Sequence, residues 1–130
     1  MSGHTLASLV AWCAGLWEGE GWLTMKRRNG GRSHDLVVGV TNTDPLLLAP
    51  FIEQWGGRAR PRKGTALSRK QVYEWRRECR SAEAFLRAIQ PYVMGLKSSQ
   101  VAAAIAHREA KLRARSRSAT GVYVPMEVLQ

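Results

Sequence analysis

The strongest constraint on the fold is an apolar helical segment that runs directly into two acidic residues. Over residues 6–17, apolar side chains occupy nearly every face of the predicted helix, so we expect it to be buried between two bodies. Glu18 and Glu20 follow at the end where the helix dipole disfavours negative charge, at a cost of up to about 1 kcal/mol each. One interpretation is a pair of solvated glutamates in a helix-ending turn, and the other is that they serve a function.

The charge and the cysteines of the chain indicate what class of partner it binds and in which compartment it acts. The chain has 130 residues, which indicates one domain, and its net charge of +10 favours a polyanionic partner. Cys13 and Cys79 have no metal-ligand or redox spacing, so we interpret them as reduced intracellular thiols. We see no secretion leader, and the longest apolar stretch is too short to span a bilayer. A nucleic acid inside the cell is therefore the expected partner, without a membrane.

The predicted elements follow the order helix, hairpin, helix, hairpin, helix, helix. The Asn29-Gly30-Gly31 turn joins strands at residues 22–28 and 35–41, and the second hairpin turns near residues 64–65. Predicted helices follow at residues 44–55, from a cap at Ser81, and from Lys97 toward residue 115. This order predicts an α+β fold with one antiparallel sheet and helices on one face. We assign residues 1–115 to one domain and 116–130 to a C-terminal tail.

Alternation along the strands predicts one apolar and one cationic sheet face. Leu23 and Met25 belong to the apolar face, where Tyr73 and Trp75 are also expected. The other tryptophans at positions 12, 17, 22 and 55 are predicted to be packing residues. A basic β-ribbon fits the major groove, so double-stranded DNA is the expected ligand. The predicted DNA-binding residues are Thr24, Lys26, Arg28, Arg58, Arg60, Arg62, Lys70 and Arg76.

Two glycines indicate a second copy of the chain as the other body around the first helix. Gly15 and Gly19 lie four residues apart on one helix face, a spacing that lets two helix backbones approach closely. About a twofold axis, the two Glu20 side chains of such a dimer would meet near its centre. Carboxylates beside phosphates hold Mg²⁺, or Mn²⁺ in its place, for phosphodiester hydrolysis.

Two stretches resemble a known family. "CAGLWEGEG", residues 13–21, is similar to the characteristic sequence of the LAGLIDADG homing endonucleases, with acids at the corresponding positions, and "YVMGLKSSQ" resembles a stretch near a late helix of that family. The resemblance covers about residues 5 to 110. It implies the LAGLIDADG-type αββαββα fold, in which an antiparallel β-sheet saddle carries helices packed on one face.

The resemblance also implies a role for each matching residue. Glu20 corresponds to the acid that binds the catalytic metal, helped by the carbonyl of Gly19. Glu18 corresponds to the acid that satisfies backbone groups at the partner helix end, in an interface that includes Ala14 and Gly15. Lys97 corresponds to a basic residue beside the cleavage centre, which orients water or offsets phosphate charge, and Asn42 to a residue that positions water.

These roles predict a site-specific endonuclease that cuts double-stranded DNA as a Mg²⁺-dependent homodimer. The single copy of the LAGLIDADG-like stretch requires a second chain to complete the paired site, and hence a long pseudo-palindromic target. One alternative is a non-catalytic nucleic-acid-binding protein on the same scaffold, such as an RNA-splicing maturase or a transcription regulator. Another is a basic structural module, which explains the charge and leaves the glutamates unexplained.

Overall fold

The computed structural model describes residues 5–31, 33–62 and 70–119, and the expected order of elements is confirmed within them. The helices and strands are α1 (Leu6–Glu20), β1 (Gly21–Arg28), β2 (Ser33–Asn42), α2 (Ala49–Trp55), β3 (Arg60–Arg62), β4 (Val72–Glu78), α3 (Cys79–Ile89) and α4 (Lys97–Ala119). Short 3₁₀ turns occupy Asn29–Gly31, Pro45–Leu48 and Gln90–Tyr92. No described helix combines the length and apolar content that a membrane span requires.

The four strands form one antiparallel sheet in the order β1-β2-β4-β3. Pro61 lies in β3 at the edge of the sheet, where the missing N–H of proline costs no ladder hydrogen bond. The turn of the second hairpin, expected near residues 64–65, lies outside the described residues.

Helices α1 and α3 pack on one face of the sheet, which establishes the predicted α+β architecture. The centre of the core is aromatic, and Trp17, Phe51, Trp75 and Phe85 are all fully buried. Their rings meet at close range, with 5.0 Å between the ring centroids of Phe51 and Trp75. The opposite face of the sheet, called the open face below, carries no helix among the described residues.

Among the described residues, helix α1 is packed on one side only. It buries Cys13, Ala14 and Trp17 but leaves 64% of Leu6 and 42% of Trp12 exposed. The sequence predicted burial between two bodies, and the described chain supplies one of them. Trp12 contacts Phe51 with part of its ring, so it is a packing residue on one side only.

Two helix starts differ from the predictions. The helix expected over residues 44–55 is a 3₁₀ turn followed by α2, because Pro50 has no N–H for a continuous helix and instead lies in the first turn of α2. Leu46, in the 3₁₀ turn, is 78% exposed. Helix α3 begins at Cys79, and the hydroxyl of Ser81 accepts a hydrogen bond from Arg77 instead of capping the helix.

The C-terminal boundary also differs. Helix α4 continues past residue 115 to Ala119, so the predicted start of the tail falls inside a helix. Residues 120–130 lie outside the described residues.

Candidate functional site

Glu18, the first of the two glutamates, binds main-chain groups that precede α4. Its carboxylate accepts hydrogen bonds from the backbone N–H of Met94, at 3.0 Å, and from that of Gly95. Gly95 permits this close approach, because a Cβ there would lie 3.0 Å from the carboxylate oxygen. The expected role of satisfying backbone groups is therefore present, but the donors belong to the same chain. The loop after α3 brings these N–H groups to Glu18, and the predicted contact of Glu18 with a partner helix stays a prediction.

Lys97 binds the other side of the same junction. Its ammonium donates to the carbonyls of Trp17 at 3.1 Å, of Glu18 at 2.7 Å and of Gly21 at 2.7 Å. It also lies 5.2 Å from the centroid of the Trp17 ring. Burial lowers the pKa of Lys97 below its ordinary value, while the nearby Glu18 carboxylate acts in the opposite direction. The positive charge stabilises the carbonyl end of α1, which is the end that two acids would otherwise destabilise.

The contacts of Lys97 differ from the expected role in orienting water. An ammonium group has three N–H donors, and the main-chain carbonyls occupy all of them. Lys97 is therefore placed as a positioning residue for the end of α1. No residue pattern indicates this role, because the carbonyls that Lys97 binds lie at the other end of the domain in sequence.

Glu20 and Asn42 lie together at the end of α1 and the end of β2. The side-chain amide of Asn42 donates to the Glu20 carboxylate at 2.9 Å, and its carbonyl oxygen accepts the backbone N–H of Asp44 at 2.9 Å. The second bond fixes which end of the amide faces the acid. Glu20 itself is exposed, so its carboxylate has a free side for a ligand. The structure thus brings together two of the three residues predicted for catalysis.

One chain supplies only part of a metal site. The donors near Glu20 are carboxylate and carbonyl oxygens, the ligand type that Mg²⁺ prefers. Lys97 does not bind the carbonyl of Gly19, which leaves that predicted ligand outside its hydrogen-bond set. Among the described residues, however, no group of three or more His, Cys, Asp or Glu side chains is placed to hold a metal ion. The donor chemistry fits Mg²⁺, and the number of carboxylates fits only if a second chain contributes.

The exposed side of α1 has the small residues that the sequence predicted for close helix contact, with one correction. A Cβ added at Gly15 or Gly19 would meet no atom within 4 Å. Glycine in a helix costs roughly 0.5–1 kcal/mol relative to alanine, and packing within the described chain does not require it here. Ala14, by contrast, is fully buried in the core, so it has no surface left for the interface predicted for it.

The open face carries most of the cations predicted to contact DNA. Residues directly opposite in neighbouring strands share a face, which places these side chains on it together: Thr24, Lys26, Arg28, Arg60, Arg62 and Arg76. Arg58 and Lys70 are exposed but lie outside β3 and β4, because both strands are shorter than predicted. A concavity of about 850 Å³ opens on this face, lined by basic residues that include Lys26, Arg60 and Arg76.

Three ion pairs on the open face were not predicted from the sequence. Arg28 pairs with Asp35 at 2.8 Å, Arg62 with Glu74 at 2.8 Å, and Arg76 with Glu78 at 2.9 Å. Tyr73 and Trp75 lie on the core side as expected.

Trp22, predicted to be a packing residue, packs on the open face, which it shares with Arg76. Its ring lies against Gly39, and a Cβ at Gly39 would come within 2.4 Å of it. The period of the strand contained this information, since Trp22 has the same parity as Thr24 and Lys26.

Comparison with known proteins identifies the class of fold. No family model and no curated protein matches the sequence. Solved structures of homing endonucleases are similar, and they establish that this chain has the α+β fold of that class.

The similar structures named here are two complexes of the homing endonuclease I-CvuI. The complex with its own target, in the presence of 2 mM Ca, has a TM-score of 0.62 and 17% identity, covering 79% of this chain and 67% of that one. The complex with the I-CreI target, in the presence of 2 mM Mg and with its DNA not cleaved, has a TM-score of 0.59 and 18% identity. That match covers 77% of this chain and 65% of the other. The chain thus spans about two thirds of the length of the solved chains that it matches.

Proposed function

We propose that this protein is a single-motif member of the LAGLIDADG homing endonucleases. In this proposal it acts inside the cell as a homodimer, and it cleaves a long pseudo-palindromic target in double-stranded DNA with the help of Mg²⁺ or Mn²⁺. The observation that carries the proposal is the exposed Glu20 carboxylate, held by Asn42 at the end of a helix whose outer side is also exposed. Similarity of fold to DNA-bound homing endonucleases supports it.

The uncovered side of α1 supports the proposed homodimer. Gly15 and Gly19 leave the helix backbone open to a close neighbour, and Trp12 beside them is 42% exposed. Tryptophan is enriched among residues that dominate protein interfaces. If two copies pack through this side, the two Glu20 carboxylates approach each other, which supplies the acid that one chain lacks.

DNA binding follows from the open face of the sheet. The concave basic surface has the charge to neutralise phosphates, and the strands expose alternate side chains to base edges in the major groove. In a symmetric dimer the two open faces bind related half-sites, so the target has approximate twofold symmetry. The Glu20 pair then lies between the half-sites.

The chain's own residues divide the work of hydrolysis. Glu20 and the Gly19 carbonyl would hold the metal, and Asn42 orients the Glu20 carboxylate through its amide. Lys97 and Glu18 hold the end of α1 in place, so that these oxygens keep their geometry. When bound, Mg²⁺ supplies activation of water and stabilisation of charge on the leaving oxygen.

The test is a selection from a large random duplex library, incubated with the protein in Mg²⁺ and in parallel in Ca²⁺. Sequencing both the cut ends and the retained fragments is expected to reveal one pseudo-palindromic site that is cut in Mg²⁺. Specific retention without cuts in either metal would contradict the nuclease and support the non-catalytic binding protein. If no fragment is retained and no fragment is cut, the proposal that DNA is the ligand is contradicted.

A further inference from the structure

The cations of the open face differ in how firmly they are held. Arg28 and Arg76 share the Glu78 carboxylate, and Arg62 forms a separate pair with Glu74 on the edge strand while its side chain stays 56% exposed. Lys26, Arg60 and the neighbouring Arg58 pair with no carboxylate among the described residues. We propose that Arg28 and Arg76 read guanine bases and that the three unpaired cations contact phosphates. This inference rests on the proposed function, since it names the specificity-determining residues of the same surface.

A carboxylate network joins the two proposed base readers. The Glu78 carboxylate accepts from the Nη2 atom of Arg76 at 2.9 Å and lies 3.9 Å from the Nη2 atom of Arg28. The Nε atom of Arg28 donates to Asp35 at 2.8 Å. Glu78 therefore lies between the two guanidinium groups. Only part of the N–H donors of each group is used, and the others are available to a ligand.

An aromatic ring fixes Arg76 from a second direction. Trp22, Gly39 and Arg76 form one row across β1, β2 and β4. The Trp22 ring lies against the backbone of Gly39, and the Cζ atom of Arg76 is 6.0 Å from its centroid. This cation–π contact and the pairing with a carboxylate together restrict the rotation of the Arg76 guanidinium group.

Base reading requires this restriction and phosphate contact does not. A guanidinium recognises guanine through two parallel hydrogen bonds to its O6 and N7 atoms, which demands a defined plane. An arginine that is already held loses less conformational entropy when it binds. Phosphate contacts depend mainly on charge and tolerate a freely moving side chain. The fixed arginines therefore fit bases, and the unpaired cations fit the backbone.

The carboxylates would otherwise be unfavourable on this face. Glu78 and Asp35 add negative charge to a surface that binds a polyanion, so they oppose association. Their stabilisation of the fold is small for the outer pair, because the side chains of Arg76 and Glu78 are 38% and 42% exposed. Asp35 also pairs with Lys111, which gives it a role in the fold. Orientation of the arginines gives Glu78 a role that neither folding nor overall attraction provides.

The test compares three full-length variants with the parent in a binding selection from random duplexes in Ca²⁺. Arg76→Lys keeps the charge but removes the planar fork, and Glu78→Gln keeps the shape but removes the ion pairs. Arg60→Ala is the matched control on the same face. For each protein, the base preference of the retained fragments and the salt dependence of affinity are measured.

The expected result separates the two groups. Arg76→Lys lowers the preference for one guanine in each half-site by roughly tenfold and leaves the salt dependence nearly unchanged. Glu78→Gln weakens the preference at the guanines read by Arg76 and Arg28 while affinity for other DNA rises. Arg60→Ala weakens binding to all sequences and reduces the salt slope by about one.

Two results would overturn the inference in distinguishable ways. If the parent selects a site and both Arg76→Lys and Glu78→Gln select it with the same base preferences, the division into readers and phosphate contacts is wrong while the proposed function stands. If the parent enriches no sequence at all, the proposed function fails and this inference fails with it.

Discussion

The side chains of Glu18 and Lys97 hold one junction from opposite sides. Glu18 leaves α1 and accepts the backbone N–H groups of Met94 and Gly95 just before α4, while Lys97 leaves the first turn of α4 and donates to carbonyls around the end of α1. Glu18 thus binds N–H groups just before α4, and Lys97 binds carbonyl groups around the end of α1. Neither helix has a hydrogen-bond partner of its own for these groups. The acid that is unfavourable at the end of α1 is thereby part of the contact that secures that end.

Removing Lys97 is expected to destabilise the fold by about 2 kcal/mol, because main-chain carbonyls lose a charged donor in a partly buried place. Urea denaturation of Lys97→Met measures this loss. Lys26→Met, which removes an exposed lysine from the open face, serves as the control and should change stability little. Equal stability of Lys97→Met and the parent would show that the junction does not depend on this contact.

Gly15→Leu is expected to act in opposite directions on the monomer and on the dimer. Within one chain, the new side chain meets no atom near its Cβ and favours the helix by roughly 0.5–1 kcal/mol. Between two chains it blocks close approach of the helices and prevents association. Analytical ultracentrifugation measures the oligomeric state, with Ala103→Leu on the exposed side of α4 as the control. A Gly15→Leu protein that dimerises like the parent would place the interface elsewhere.

The pair of Asp35 and Lys111 is expected to make stability depend on pH in the acid range. The hydrogen bond from Lys111, assisted by Arg28, holds the pKa of Asp35 below its ordinary value. A carboxyl with a lowered pKa in the folded state contributes stability above its unfolded pKa of about 3.9 and loses it as the pH falls through the folded value.

Urea denaturation of the parent and of Asp35→Asn at several pH values measures how the contribution of Asp35 to stability changes with pH. The parent should be more stable by about 1 kcal/mol at pH 6 to 8, and the difference should shrink as the pH falls below about 4. A difference that is the same at pH 7 and at pH 3 would mean that the Asp35 charge contributes nothing to the fold.

The Cys13 thiol is expected to stay unreactive in the folded protein. It is fully buried, and burial raises its pKa to about 12, so almost no thiolate forms at neutral pH. A thiol reagent should label Cys13 only after the chain is unfolded, as peptide mass spectrometry can show, with the partly exposed Cys79 as an internal comparison. Rapid labelling of Cys13 under native conditions would contradict the packing of α1.

The fold was largely predictable from local patterns, and the exceptions have specific physical causes. The Asn29-Gly30-Gly31 turn and the alternation along β1 identified the first hairpin, because both depend on neighbours in sequence. The start of α3 was not identified, since Ser81 accepts a hydrogen bond from Arg77 and Cys79 takes a positive φ of 53°. That outcome depends on contacts rather than on local propensity.

The candidate site was predictable only in part. The LAGLIDADG-like stretch selected Glu20, and the wider resemblance to that family selected Asn42 at the end of β2; the structure brings the two together. The partners of Glu18 and Lys97 are main-chain atoms distant in sequence, and a residue pattern carries no information about them. The role of Glu78 was not predicted, because its pairing with Arg76 and its position near Arg28 become visible only once the register of the strands is known.

The most direct test of the central claim is cleavage of the selected DNA site by Glu20→Gln under conditions in which all of the DNA is bound. Glu53→Gln, which changes an exposed acid on α2, is the matched control. We predict that the parent and Glu53→Gln cut the site in Mg²⁺, whereas Glu20→Gln binds it and leaves it intact. Cleavage by Glu20→Gln at the rate of the parent would contradict the assignment of Glu20 to the reaction and the shared site built on it.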